Sequence, residues 1–197
     1  MDYPRTLTRK ASGGEMLTYG ILEGKDTLVF IKSGRGSDHR GYEDKYVRMA
    51  YRIHEATGCT VICSPNPMDT ESHGEDEAVI RDYARGAGWD SFDLRLFGGS
   101  NGAYQNLLLG ARMPETTRVL CVNMPLMINY HRVTGALEAL SHAAKIFVYG
   151  TRDPSLSYLP FLESKRLPHS RFLRIEGADH RFEGMLDDYV ALVDLLQ

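Results

Sequence analysis

The chain has 197 residues, a length that predicts one domain spanning residues 1–197. Of these residues 43% are hydrophobic and 25% charged, which is typical of a soluble globular protein. Its net charge of -3 gives no reason to expect nucleic acid or an anionic membrane as a partner. No apolar run approaches the length of a membrane span, and Met1–Arg5 lacks the apolar stretch of a secretion signal, so we expect cytoplasmic residence.

Apolar periodicity predicts strands that alternate with amphipathic helices. The predicted strands are Arg5–Lys10, Glu15–Leu22, Thr27–Ile31, Thr60–Cys63, Phe92–Phe97, Arg118–Val122, Ile146–Tyr149 and Arg171–Ile175. The predicted helices are Gly41–Thr57, Glu75–Arg85, Ala103–Leu109, Gly135–Ala144, Leu156–Lys165 and Glu183–Leu196. The first two strands flank a glycine-containing turn, which predicts a hairpin. The later alternation predicts a largely parallel sheet with helices on both faces.

The three cysteines are predicted to be small core residues in a reducing compartment. Cys59 and Cys63 lie on one predicted strand, roughly 13 Å apart at about 3.3 Å of rise per residue, so they cannot pair. Cys121 lies in another apolar strand. The chain contains no C-x-x-C pair, no H-E-x-x-H motif and no paired Cys/His spacing, so no metal site is expected.

A G-x-S-x-G motif, Gly98–Gly102, stands between a predicted strand and a predicted helix. Strand, G-x-S-x-G, helix is the context of a nucleophile elbow, in which a tight turn exposes one serine hydroxyl. Side chains at Gly98 or Gly102 are expected to collide with the backbone as it turns back. The alternative is that Ser100 merely caps the following helix.

Two further loops follow late strands of the predicted sheet. Asp153 lies in the loop after Ile146–Tyr149, and His180 lies in the loop after Arg171–Ile175. Because sites in parallel sheets form at the carboxyl ends of the strands, Ser100, Asp153 and His180 are predicted to meet at one edge.

Other roles for the residues of these two loops stay open. Asp153 precedes Pro154, so it can also be a turn or capping residue. Asp179 and Glu176 are rival acids, and His180 can be a surface or capping histidine.

The Ser-Asp-His order on these loops resembles the α/β-hydrolase superfamily over nearly the whole chain. The resemblance implies a three-layer α/β fold with a mostly parallel eight-stranded sheet, an N-terminal antiparallel hairpin and no cap domain. The segment that carries a lid in many members is here at most the short loop Asn123–Thr134. A serine at the elbow argues against the dehalogenases of that superfamily, which use aspartate.

The resemblance also implies a function and a set of catalytic roles. Ser100 would attack an acyl carbon, His180 would take its proton, and Asp153 would orient the imidazole. The backbone N–H groups of Asn101 and Arg35 would bind the oxyanion. We therefore expect a cofactor-free serine hydrolase that cleaves an ester or thioester of a small-molecule acyl substrate.

The oxyanion loop departs from the family pattern. Many members have His-Gly where this chain has Ser33-Gly34, so which N–H of Ser33–Gly36 donates is open. This departure keeps a second hypothesis alive, a binding protein whose triad residues are not productively aligned. Amide cleavage and acyl transfer use the same residues and also stay open.

The glycines of the same loop do not fit a nucleotide site. In Gly34–Gly41 the third glycine comes too late for G-x-G-x-x-G, and Tyr42-Glu43 follows where a P-loop needs Lys and Ser or Thr. Arg35, Arg132 and Arg181 would favour an anionic substrate group, or else are solvated surface residues.

Overall fold

The computed structural model describes residues 1–69, 71–126 and 130–197, and in these residues eight strands form one sheet. The strands are β1 Arg5–Lys10, β2 Met16–Leu22, β3 Lys25–Lys32, β4 Cys59–Ser64, β5 Asp93–Gly99, β6 Thr116–Val122, β7 Ala144–Gly150 and β8 Ser170–Ile175. Their order across the sheet is β1-β2-β4-β3-β5-β6-β7-β8. β1 pairs antiparallel with β2, and β2 with β4, whereas β4, β3, β5, β6, β7 and β8 run parallel. The predicted sheet and hairpin are confirmed.

Helices and short 3₁₀ turns connect the strands. The α-helices are α1 Lys45–Thr57, α2 His73–Gly86, α3 Asn101–Gly110, α4 Tyr130–Ala139, α5 Leu159–Ser164 and α6 Leu186–Ala191. The 3₁₀ turns are Tyr42–Asp44, Pro154–Tyr158 and Leu192–Leu196. Among the described residues, no helix combines the length and the apolar character needed to cross a membrane.

The alternation of side chains along β3 creates two cores. Leu28 and Phe30 point into the core that α2, α3, α4 and α5 cover, whereas Val29 and Ile31 point into the core that α1 and α6 cover. Each fully buried side chain of this size stabilises the fold by roughly 1.5–3 kcal/mol. Because helices cover both faces of the sheet, the central strands are accessible only at their ends. Sites in parallel sheets form at the carboxyl ends, in the loops that follow the strands.

The structure corrects several predicted helix boundaries. The helix predicted over Gly41–Thr57 begins only at Lys45, because Glu43 and Asp44 have φ angles of 50° and 55°. These left-handed conformations interrupt a helix and are rare outside glycine. The predicted helices Leu156–Lys165 and Glu183–Leu196 are each divided between an α-helix and a 3₁₀ turn.

The fourth helix starts earlier than its predicted range, Gly135–Ala144. It runs over Tyr130–Ala139, and Ala144 already belongs to β7. The predicted loop Asn123–Thr134 is therefore partly helical, and its residues 127–129 lie outside the described residues.

The three cysteines are free and buried, as predicted. Burial raises the pKa of Cys63 to about 12 and also raises the pKa values of Cys59 and Cys121.

Candidate active site

Ser100 occupies a strained turn at the carboxyl edge of the sheet, between β5 and α3. Its φ and ψ angles are 54° and -126°, and its backbone N–H donates to the carbonyl of Val122 at 2.8 Å. A Cβ atom on Gly98 would lie 2.4 Å from the backbone of Ala103, so only glycine fits there, as predicted. Strain of this kind persists where the surrounding structure holds it, and it marks functional sites.

The structure brings Ser100, His180 and Asp153 into one continuous hydrogen-bonded chain. Ser100 Oγ lies 2.9 Å from His180 Nε2, and His180 Nδ1 lies 2.5 Å from Asp153 Oδ2. The side chain of Asp153 is fully buried, whereas that of His180 is 42% exposed. Because a carboxylate only accepts, Nδ1 carries the imidazole proton and the Nε2 lone pair faces the serine hydroxyl.

Asp153 makes hydrogen bonds that fit two of the roles considered for it. Its Oδ1 accepts the N–H of Ser155 at 2.6 Å and caps the 3₁₀ turn Pro154–Tyr158, while Oδ2 accepts from His180. The capping bond therefore fixes the direction of the carboxyl group. The sequence left the capping role and the triad role as alternatives, and the two oxygens of one carboxyl group make the contacts that each role requires.

Asp179, the rival acid, faces its own loop. Its Oδ1 accepts the N–H groups of Arg181 at 2.9 Å and Glu183 at 3.0 Å. These backbone hydrogen bonds, the one from Glu183 foremost, lower the pKa of the Asp179 carboxyl. The other rival, Glu176, is an exposed residue just beyond β8.

A buried asparagine that sequence reasoning missed joins the loops of Asp153 and His180. Asn123 directly follows β6, and its Nδ2 donates to the carbonyls of Asp179 and His180 at 3.1 and 3.2 Å. Its Oδ1 accepts the N–H of Gly150 at 2.9 Å. The signal in the sequence was a polar residue immediately after an apolar strand, which is where functional side chains of parallel sheets lie.

The segment Ser33–Gly36 after β3 faces the elbow, and within it one backbone donor has no acceptor among the described residues. The N–H groups of Ser33, Gly34 and Gly36 donate to Ser64 O, Tyr46 Oη and Asn66 O at 3.1, 3.1 and 2.7 Å. The N–H of Arg35 has no acceptor among the residues that the structure describes. Asn101 is the first residue of α3, where backbone N–H groups have no partner within the helix. Neither of the two N–H groups that the sequence suggested, those of Arg35 and Asn101, has a hydrogen-bond acceptor among the described residues.

Two arginines considered for substrate binding already have partners. Arg132 forms two hydrogen bonds to the carboxylate of Glu71, at 2.7 and 2.9 Å. Arg35 Nε donates to the carbonyl of Met68 at 2.7 Å, which ties its side chain to the loop after β4. Within residues 1–69, 71–126 and 130–197, no three His, Cys, Asp or Glu side chains are grouped to hold a metal ion.

Comparison with known proteins identifies the fold. Family models and curated protein sequences give no match. An α/β serine hydrolase homologue from Coxiella burnetii matches with a TM-score of 0.72 at 18% sequence identity, over 98% of this chain and 97% of that chain. An α/β serine hydrolase without a lid from Xanthomonas campestris matches with a TM-score of 0.69 at 18% identity, over 99% and 95% of the two chains.

A dienelactone hydrolase from Anabaena variabilis matches with a TM-score of 0.67 at 17% identity, over 98% of this chain and 95% of that chain. The part of the chain that the structure describes therefore has the three-layer α/β-hydrolase fold, without a cap domain, that the sequence predicted. Because a fold hosts many activities, function has to be argued from the site itself.

Proposed function

We propose that this protein is a serine hydrolase that cleaves an ester or thioester of a small-molecule acyl substrate through an acyl-enzyme on Ser100. One observation carries the proposal: the hydrogen-bonded chain from Ser100 Oγ through His180 to the buried carboxyl group of Asp153. A serine hydroxyl is a poor nucleophile unless a base removes its proton during attack. Here the base lies within hydrogen-bond reach before any substrate binds.

The first half-reaction forms the acyl-enzyme. Ser100 Oγ attacks the acyl carbon while its proton passes to His180 Nε2, and the Asp153 carboxylate stabilises the resulting imidazolium. The carbonyl π electrons move onto the oxygen, and the N–H groups of Asn101 and Arg35 are the donors that we assign to this oxyanion. Each such donor contributes about 100- to 1,000-fold to kcat in comparable sites. The tetrahedral intermediate then expels the alcohol or thiol, which takes the proton from His180.

The second half-reaction releases the acid. Water gives a proton to His180 Nε2 and attacks the acyl carbon, and collapse of the second tetrahedral intermediate returns the proton to Ser100 Oγ. The partial exposure of His180 and the likeness to a hydrolase described as lidless support an open cleft that accepts small or exposed acyl groups. Three free thiols and a small net charge fit the cytoplasm as the setting.

Hydrolysis of a short-chain p-nitrophenyl ester and of the matching thioester tests the proposal. We expect the wild-type protein to turn over at least one of them, and Ser100→Ala to lose about 1,000-fold or more of kcat. Folded wild-type protein that hydrolyses neither compound would favour the binding-protein hypothesis. Undiminished activity in Ser100→Ala would exclude Ser100 as the nucleophile.

A further inference from the structure

A second buried asparagine, Asn66, links the two sides of the candidate oxyanion hole. It follows β4, and only 1% of it is exposed. Its Nδ2 donates to the carbonyl of Ser33 at 3.0 Å and to Oδ1 of Asn101 at 3.1 Å. Ser33 begins the loop that carries Arg35, and Asn101 supplies the other backbone donor. One amide group thus bonds both to the segment that carries Arg35 and to the residue that supplies the other donor.

The orientation of this amide follows from its partners. The carbonyl of Ser33 can only accept, so Nδ2 and not Oδ1 of Asn66 faces it. The same amide then presents its second N–H to Asn101, whose side-chain oxygen must be the acceptor. The two bonds therefore define which end of the side-chain amide faces its partner in both asparagines.

The backbone of Asn66 holds the other end of the Arg35 loop. Its carbonyl accepts the N–H of Gly36 at 2.7 Å, and its N–H donates to the carbonyl of Ser37 at 2.9 Å. Arg35 is therefore bracketed by bonds to Asn66 on both sides, through Ser33 before it and Gly36 after it. A loop restrained in this way keeps the direction of the Arg35 N–H.

A buried ion pair anchors the segment that carries Asn66. The carbonyl of Pro65, the preceding residue, accepts from Lys32 Nζ at 2.6 Å. Lys32 Nζ also lies 2.7 Å from Asp76 Oδ2, at the start of α2, and donates to Ser72 Oγ at 2.6 Å. Neither charged side chain is more than 1% exposed. The segment that leads to Asn66 is thus anchored to the core by Lys32.

We propose that Asn66 is a positioning residue that sets the spacing of the Arg35 and Asn101 N–H groups for the oxyanion. This inference rests on the proposed function. Oxyanion donors act only within about 2.7–3.1 Å of the developing charge, so a shift of either side of the hole weakens both bonds at the transition state. Substrate binding in the ground state depends much less on these two bonds.

The test compares Asn66→Ala and the isosteric Asn66→Asp with a matched control, Asn106→Ala. Asn106 lies on α3 and is as buried as Asn66, and its Nδ2 donates to the carbonyl of Phe97 at 2.7 Å. Its replacement therefore removes a buried amide at a different place in the fold. In Asn66→Asp a carboxylate would face two acceptor oxygens, so the bridge is lost without a change of volume. Activity is expressed per active site titrated with a fluorophosphonate, which removes the effect of unfolded molecules.

We expect both Asn66 variants to lower kcat about 10- to 100-fold, with KM changed less than about threefold. Affinity for phenylboronic acid, whose tetrahedral adduct on a serine mimics the oxyanion, should fall by a similar factor. Asn106→Ala should leave both quantities within about threefold of wild type whatever its melting temperature.

The single variant Asn101→Ala gives a second route that does not depend on the folding of the Asn66 variants, and it also completes a double-mutant cycle with Asn66→Ala. Asn101→Ala removes the side-chain acceptor and keeps the backbone donor, so kcat should fall about 3- to 30-fold. The double variant should be no worse than Asn66→Ala alone, because both changes break the same bond.

Three outcomes would overturn the inference. They are wild-type kcat and boronate affinity in folded Asn66→Ala, an equal loss in Asn106→Ala, and wild-type kcat in Asn101→Ala. Wild-type protein that hydrolyses neither the ester nor the thioester and does not bind the boronic acid would instead overturn the proposed function, and the inference with it.

Discussion

Gly102 packs directly against the carbonyl oxygen of Ser33: a Cβ atom on Gly102 would lie 2.3 Å from that oxygen and 2.6 Å from the carbonyl oxygen of Lys32. The two glycines of the G-x-S-x-G motif therefore have different functions. Gly98 allows the turn itself, whereas Gly102 allows α3 to approach the end of β3. The expected collision of a Gly102 side chain with backbone is confirmed, and the backbone that it meets belongs to the end of β3 and the facing loop.

A side chain at position 102 should therefore push the start of α3 away from the end of β3 and from the oxyanion loop. We expect Gly102→Ala to lower kcat/KM about 100-fold or more and to destabilise the fold by roughly 1–3 kcal/mol. The measurements are ester hydrolysis and denaturant unfolding. Gly135→Ala is the control: that glycine lies exposed within α4 with open space at its Cβ position, so stability should rise by up to about 1 kcal/mol. Wild-type activity in Gly102→Ala would contradict this account.

The acid of the proposed triad can be identified by comparing the same change, Asp→Asn, at two positions. Asp153→Asn should lower kcat by up to about 10,000-fold, because an amide in place of the carboxylate favours the wrong imidazole tautomer. Asp179→Asn should stay within about threefold of wild type, since its side-chain oxygen can still accept the N–H groups of Arg181 and Glu183. The same ester assay measures both variants. Equal activity in Asp153→Asn and wild type would remove Asp153 from the triad.

The cysteines should be inert in the folded protein. Cys59, Cys63 and Cys121 are all buried, and burial raises their pKa values, so almost no thiolate forms at neutral pH. We expect N-ethylmaleimide to leave native protein unmodified and its hydrolysis rate unchanged, and to modify all three thiols after denaturation. Mass spectrometry reports the number of modified thiols. Rapid modification of native protein with loss of activity would show that a cysteine is accessible and contributes to function.

The buried pair of Lys32 and Asp76 should be strongly coupled. Lys32→Met leaves the carboxylate of Asp76 in the core without its cation, so we expect a loss of about 3–5 kcal/mol in the free energy of unfolding. Asp76→Asn in the same chain should restore part of that loss, with a coupling energy of about 1–3 kcal/mol. Urea unfolding of wild type, both single variants and the double variant measures this cycle. Additive losses would mean that the two charges do not stabilise each other.

Much of the fold and the core of the site followed from periodicity and chain order. Alternating apolar residues identified the strands, and parallel strands must present their carboxyl ends at one edge, so Ser100, Asp153 and His180 were expected to converge. The structure places these three side chains in hydrogen-bond contact. The convergence of three residues so far apart in the chain could be predicted without further information, because the parallel sheet brings their loops together.

The residues that hold those loops could not be predicted in the same way. Asn66 and Asn123 bond to backbone groups 27 to 57 positions away in the chain or to a side chain 35 positions away, and no local pattern specifies such partners. The start of α1 could not be predicted either. Glu43 and Asp44 have the left-handed conformation that a sequence pattern normally assigns to glycine. In each case the tertiary structure, and not the local sequence, determines the conformation.

Covalent labelling with a fluorophosphonate reports whether Ser100 is a nucleophile activated by His180. We expect wild-type protein to be labelled on the peptide containing Ser100, as identified by mass spectrometry. Ser100→Ala should take up no label, and His180→Ala should be labelled at least about 100-fold more slowly. Folded wild-type protein that takes up no label, or that carries the label on another residue, would show that Ser100 is not the activated nucleophile.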